Sequence, residues 1–204
     1  KTVPRTPYDP ATAEALLEAA GWHRQGDEIR RNAAGERLAL ELATTAGNRS
    51  RELVEEVVQS EWREIGVELR LRNQPARVLF GETIRRRHFT TALYAWLSAP
   101  EGVPRSTLHS DEIPSALNGW SGQNYTGFRN READRLLDAI EIELDRDARG
   151  RLWAELQALY AAELPALPLY FRADAFVLPP WLQGLIPTGH QYPSSLRVEK
   201  WRRQ

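Results

Sequence analysis

Leu38, Leu40 and Leu42 alternate with Ala39 and Glu41, the period of two expected of a strand with one buried face. Gly47 and Asn48 lead into a run in which Leu53, Val54, Val57, Val58, Trp62 and Ile65 recur at helical spacing, and Gly66 stops it. This predicts an amphipathic helix over 49–65. Val67, Leu69 and Leu71 alternate again, a shorter helical stretch follows over 77–86, and Ala92 to Trp96 reads as an apolar strand. Strands linked by crossover helices predict an α/β fold, an open mixed sheet with right-handed connections and helices on its faces. Ahead of it, Asp9 and Pro10 suit the cap and first position of a helix over 11–20 ended by Gly21. Turns are expected at Gln25-Gly26-Asp27 and Ala34-Gly35-Glu36, the first between two short strands.

Beyond Trp96 the pattern dissolves. Residues 97–129 hold Gly102, Pro104, Pro114, Gly119, Gly122 and Gly127, with Trp120, Tyr125 and Phe128 among them. A long irregular stretch inside a domain is usually functional or disordered, and the aromatics argue against disorder. Asn130 then caps a helix with Ala133, Leu136, Leu137 and Ile140 on one face. A second helix, 147–164, carries Leu152, Leu156, Leu159 and Tyr160. Short strands are expected at 167–171 and 175–178. A proline-rich tail from Pro179 ends in a strand over 196–201.

Composition narrows the chemistry. Apolar residues are 42% and charged residues 27% of the 204 residues, and the net charge is −1. No apolar run approaches the length of a membrane span. The basic clusters Arg85-Arg86-Arg87 and Arg202-Arg203 are short, read as solvated helix ends, and give no nucleic-acid face. Without cysteine, disulfides and thiolate chemistry are excluded. The chain starts at Lys1 and has no methionine, so it reads as a piece of a longer one. His23, His88, His109 and His190 lack metal-ligand spacing, although His109 falls in the irregular stretch. Ser98, Glu101 and His109 form no recognisable hydrolytic motif, and phosphate-binding glycine loops are absent. The acid pairs sit as solvated helix faces. No cofactor, metal site or catalytic residue is expected. Trp62 and Trp153 fall on helix faces, and Trp22 and Trp201 suit sheet edges. Trp96, at a strand end, and Trp120, in the loop, are candidates for a ligand cleft, because ligands of α/β sheets bind beyond the strands' C-terminal ends.

The run "YDPATAEALLEAAGW" from Tyr8 to Trp22 resembles the opening of the C-terminal lobe in family 5 solute-binding proteins, the binding components of peptide, dipeptide and nickel ABC importers. The likeness continues through "LELATTAGNRSRELVEEVVQSEWREIGVELRL", "ALYAWLSAPEGVP", "NYTGFRNREADRLLDAI" and "RLWAELQALYAAELPALPLYF". It implies a periplasmic-binding-protein type II fold, a lobe over 1–178 and a tail over 179–204 packing on this lobe or towards an absent N-terminal lobe. It also implies an extracytoplasmic protein that captures a peptide-like or other small polar solute between two lobes and hands it to a membrane permease. In peptide-binding relatives an aspartate after the Trp-ending strand holds the ligand's amine; here that position is Ala99. Glu101 could substitute, or Arg105 could favour an acidic ligand. The expected cleft face is Trp96, Ser98, Glu101 and Arg105, with Asn124 and Tyr125 from the loop. Peptide, opine, sugar and metal-chelate ligands all stay open. So does an effector-sensing role in a transcription regulator with the same fold.

Overall fold

The computed structural model describes residues 3, 5–26, 28–99, 102–171, 175–188 and 194–204. Asp27, Glu101 and His190 lie outside them. Strand β1 (Ala39–Thr45) is the centre of a parallel three-stranded sheet, between β2 (Glu68–Gln74) and β3 (Thr91–Ala92). Leu40 faces Leu69 and Leu42 faces Leu71 across one ladder; Leu42 and Ala43 face Thr91 and Ala92 across the other. Sequence alternation suggested one buried face for β1. Three successive residues, Leu42, Ala43 and Thr44, are buried, so both faces are covered, as expected for the middle strand of a parallel sheet.

Helix α2 (Arg49–Glu64) returns the chain from β1 to β2. Asn48 caps it by accepting from the Arg51 amide at 3.2 Å, and Gly66 ends the turn with φ of 88°. Its packing face differs from the apolar stripe. Leu53 and Val57 are exposed and Glu55 is buried. Two polar groups set that rotation: Gln59 Nε2 donates to the Leu69 carbonyl at 2.6 Å, and Asn73 Nδ2 to Glu55 Oε1 at 2.6 Å. The helix expected at 77–86 is a turn of α3 (Ala76–Val78) continued as a π-helix over Leu79–Ile84. Leu79 and Ile84 bury under the sheet with Ala43.

A second apolar cluster lies between the helices of the C-terminal half. Leu108 from α4 (Arg105–Leu108) joins Ala133, Leu136, Leu137 and Ile140 of α5 (Arg131–Ile142) and Leu156 of α6 (Arg146–Glu163). Asn130 caps α5 where sequence placed it, and Asp145 caps α6, which starts one residue before the expected 147. At the other end of the molecule, α1 (Pro10–Ala19) buries no residue of its own. It is tied down by Glu14 and Glu18, which pair with the buried Arg30.

Parallel and antiparallel pairing both occur, in separate sheets: β4 (Leu182–Gln183) and β5 (Arg202–Arg203) form an antiparallel pair. The architecture is thus the expected open α/β arrangement flanked by helices. The three strands expected in the C-terminal part do not form where sequence placed them. Residues 167–171 and 175–178 have no regular secondary structure and join no strand among the described residues. The strand expected at 196–201 is 3-10 turn over Ser194–Lys200 with a kink at Arg197, because the pairing with β4 falls just beyond it, at Arg202–Arg203.

Candidate functional site

Sequence placed a strand over 92–96, but pairing stops at Ala92. The next amide, Leu93 N, still bonds to the Ala43 carbonyl, and the Thr44 hydroxyl donates to the Leu93 carbonyl at 2.7 Å. A side chain thus occupies the next ladder position, and the chain leaves the sheet at its C-terminal edge. Residues 93–99 run on without further pairing.

This departure builds a wall of aromatic rings. Phe80 meets Tyr94 edge-on at 6.0 Å, Tyr94 meets Trp96 edge-on at 5.9 Å, and Trp96 stacks on Tyr125 at 6.4 Å with 12° between planes. Such offset and edge-to-face pairs fix ring orientation as well as burying area. Tyr94 is the inner member: burial, with Tyr125 and Tyr160 nearby, pushes its phenol up to about 12. Trp96 is the outer member and stays 50% exposed. Burial also raises the Tyr125 phenol, opposed by the charge of Arg85. Ser98 follows, exposed to solvent.

The loop that supplies Tyr125 is fastened from two sides. Asn124 is fully buried, and its amide donates to the carbonyls of Leu108, His109 and Phe128 at 2.9–3.2 Å. Its carbonyl accepts from the Phe128 amide at 3.0 Å and the Thr126 hydroxyl at 3.2 Å. From the other side, Arg87 donates to the Tyr125 carbonyl at 3.1 Å and Arg85 to the Trp120 carbonyl at 3.2 Å. Arg86 lies over the Trp120 ring at 5.2 Å. The basic triplet, read from sequence as a solvated helix end, is therefore a clasp on the loop.

The structure brings Trp96 and Tyr125 together and leaves Ser98 exposed beyond them. Asn124 stands behind the wall with its hydrogen-bonding groups occupied. Arg105 is engaged by Asp138 and Glu141 of α5; the Arg105 hydrogen bond holds the Asp138 carboxyl below its ordinary range. Glu101 lies outside the described residues. His109 is buried in the same α4–α5 region, where Nδ1 accepts from the Asp111 amide at 3.1 Å. Sequence reasoning missed Phe80 and Tyr94. Tyr94 had a signal, being two residues from Trp96; Phe80 had none, because its contact depends on the π-helix. Among the described residues, no cluster of three or more metal-ligating side chains occurs, and no helix is long and apolar enough to cross a membrane. Two open hollows lie elsewhere: about 420 Å³ beside Val103, Ile140 and Trp153, and about 560 Å³ along α2 and β2.

The model of the bacterial extracellular solute-binding proteins, family 5, matches residues 1–146. The oligopeptide-binding protein AppA of Bacillus subtilis is 24% identical over 98% of this chain and 35% of its own length. The oligopeptide-binding protein of Thermus thermophilus, solved with a pentapeptide, superposes with a TM-score of 0.84 at 32% identity, covering 98% of this chain and 36% of that one. NikZ of Campylobacter jejuni, solved with Ni(L-His), gives 0.76 at 20% identity, over 99% of this chain and 40% of that one. The chain thus spans about a third of the length of such relatives, and its fold is that of periplasmic binding proteins of type II. With the family model matching most of its length and the α/β order in place, the chain belongs to the family 5 bacterial extracellular solute-binding proteins.

Proposed function

We propose that the aromatic wall is one side of a ligand crevice whose other side belongs to sequence outside these 204 residues. In this reading residues 1–178 are a ligand-binding lobe. The tail, 179–204, faces the remainder of the protein. The whole acts outside the cytoplasm, captures a peptide-like or other small polar solute, and passes it to an ABC permease. It does no chemistry on the solute. The observation that carries the reading is the half-exposed Trp96, held rigidly by Tyr94 and Tyr125 at the C-terminal edge of a parallel sheet. Rigid rings give contact area at little entropic cost, and that edge is where α/β sheets bind ligands. Trp96, Ser98 and Tyr125 would meet the ligand. Asn124 and Arg105 would hold the loop and α4 in place behind them. Ligand contacts on both sides would favour the closed form by the difference in affinity for the two states.

The test is titration calorimetry on the full-length protein that carries this chain, with the solute that co-purifies with it. Trp96→Ala should weaken binding by about tenfold or more, the scale of losing a buried aromatic contact, with an unchanged melting temperature. Unchanged affinity would place the ligand elsewhere.

A further inference from the structure

One stripe of α6 has no account in the packing of the lobe. Arg146, Arg149, Gly150 and Trp153 stand three and four residues apart, so they share one face of the helix. Val103 and the end of α5, Ile140 and Glu141, complete the lining of the hollow of about 420 Å³ beside that face. The hollow shares no residue with the aromatic wall, and its volume falls in the range of small-molecule sites. Ile140, Val103 and the half-buried Trp153 belong to the apolar cluster around Leu137 and give it an apolar floor. Two features point to an occupant. Gly150 sits inside an 18-residue helix, where glycine is less favourable than alanine. Its backbone is ordinary helix, and a Cβ there would meet nothing within 4 Å. No close approach in the lobe requires this glycine; what its missing side chain does is keep one side of the hollow clear. The second feature is charge. Arg149 is half-buried and Arg146 exposed, and neither guanidinium pairs with a carboxylate among the described residues. Glu141, the acid of the lining, is engaged by Arg105 at 3.7 Å. A guanidinium is a planar, permanently charged fork that takes a carboxylate with two parallel hydrogen bonds.

We propose that this hollow is a ligand site separate from the aromatic wall, and that it binds a small organic anion. The anion's carboxylate is held by Arg146 and Arg149, and its flat ring lies on Trp153 in the space that Gly150 leaves open.

Calorimetry on the full-length protein that carries this chain tests the site, with indoleacetate and its uncharged analogue indoleacetamide as probes. Indoleacetate should bind with a dissociation constant of about 1 mM or lower. It should bind about 10- to 100-fold more tightly than the amide, the range of a charge-assisted pair. Arg146→Gln combined with Arg149→Gln should abolish that preference. Gly150→Leu, which fills the space, should abolish indoleacetate binding, while the melting temperature holds or rises because a helical glycine is replaced where nothing stands in the way. If the leucine variant fails to fold, the glutamine pair decides alone. Equal affinity for acid and amide, no binding of indoleacetate, or a preference that survives the glutamine pair overturns the inference, as does binding that survives Gly150→Leu. So does loss of indoleacetate binding in Trp96→Ala, which would put the anion at the aromatic wall; the reading of that wall stands or falls separately.

Discussion

Two stretches of the C-terminal half are both rich in large apolar side chains and meet opposite fates. Along α5, Ala133, Leu136, Leu137 and Ile140 are all buried against α4 and α6. Over 167–178, Leu167, Leu169, Tyr170, Phe171, Phe176 and Val177 are all exposed, with Phe171 at 103% and Val177 at 98% of full accessibility. The difference is one of partners. A helix satisfies its backbone internally and needs only one face covered. A segment without regular structure needs neighbours for its N–H and C=O groups as well as its side chains. The packed region therefore completes itself, while the irregular one offers apolar surface. Exposed large apolar side chains gathered in this way, on both sides of 172–174, mark an interaction surface.

The sharpest way to establish the packed side of the contrast is Leu137→Ala. Leu137 is fully buried at the centre of the cluster, and removing its side chain should cost about 2–5 kcal/mol from lost burial plus the cavity. Urea unfolding of the 204-residue chain measures it. A loss under about 1 kcal/mol would mean that the cluster repacks freely and that the two stretches differ less than their exposure suggests.

Asn124→Ala extends the contrast to a polar core. The change removes the side-chain donor from the Leu108 and Phe128 carbonyls and the acceptor from the Phe128 amide, while the His109 carbonyl keeps the Glu112 amide, and should cost about 1–3 kcal/mol, the range for leaving buried polar groups unpaired. The same unfolding experiment checks it. Because the loop positions Tyr125 against Trp96, tryptophan fluorescence of the variant should change in the folded state too.

Glu55 is a smaller case with a pH signature. Burial raises its carboxyl above the ordinary value of 4.5, against the hydrogen bond from Asn73. The folded state then holds a proton that the unfolded chain releases. Stability linked to Glu55 is therefore present in full below about pH 4.5 and declines as pH rises through the folded value. Glu55→Gln should remove that decline, so the variant gains on the parent between pH 4 and pH 7 in urea midpoints. Parallel pH curves for the two proteins would show that water reaches the group.

Legibility followed the same divide. The order β1, α2, β2 and, to within a residue, the starts of α5 and α6 could be read because periodicity and caps act over a few neighbouring residues: Asn48 and Asn130 stand at the starts expected of α2 and α5. The rotation of α2 could not, because it depends on Gln59 and Glu55 finding partners on β2. The early end of β3 could not, because it is decided by a Thr44 hydroxyl 49 residues away. At the wall, Trp96 and Tyr125 were legible as aromatics at a strand end and in a loop. The clasp was not, since three adjacent arginines look alike in sequence and part company only against Glu82, Trp120 and Gly127. Asn124 was legible as a site residue but not as a buried one.

The weakest expected effect is the one that decides what the irregular stretch is for. Phe171→Ser and Val177→Ser remove side chains that are already in water, so in the 204-residue chain each should change unfolding free energy by less than about 0.5 kcal/mol. If the stretch docks against sequence beyond this chain, the same substitutions in the full-length protein should cost about 1–3 kcal/mol, the scale of a buried aromatic or valine side chain. The contrast between the two lengths carries the information. Equal small effects in both would leave the run exposed in the complete protein and sever it from the proposed second wall. A large effect in the short chain would mean that the stretch packs on α5 and α6 after all, and the comparison drawn above would fail.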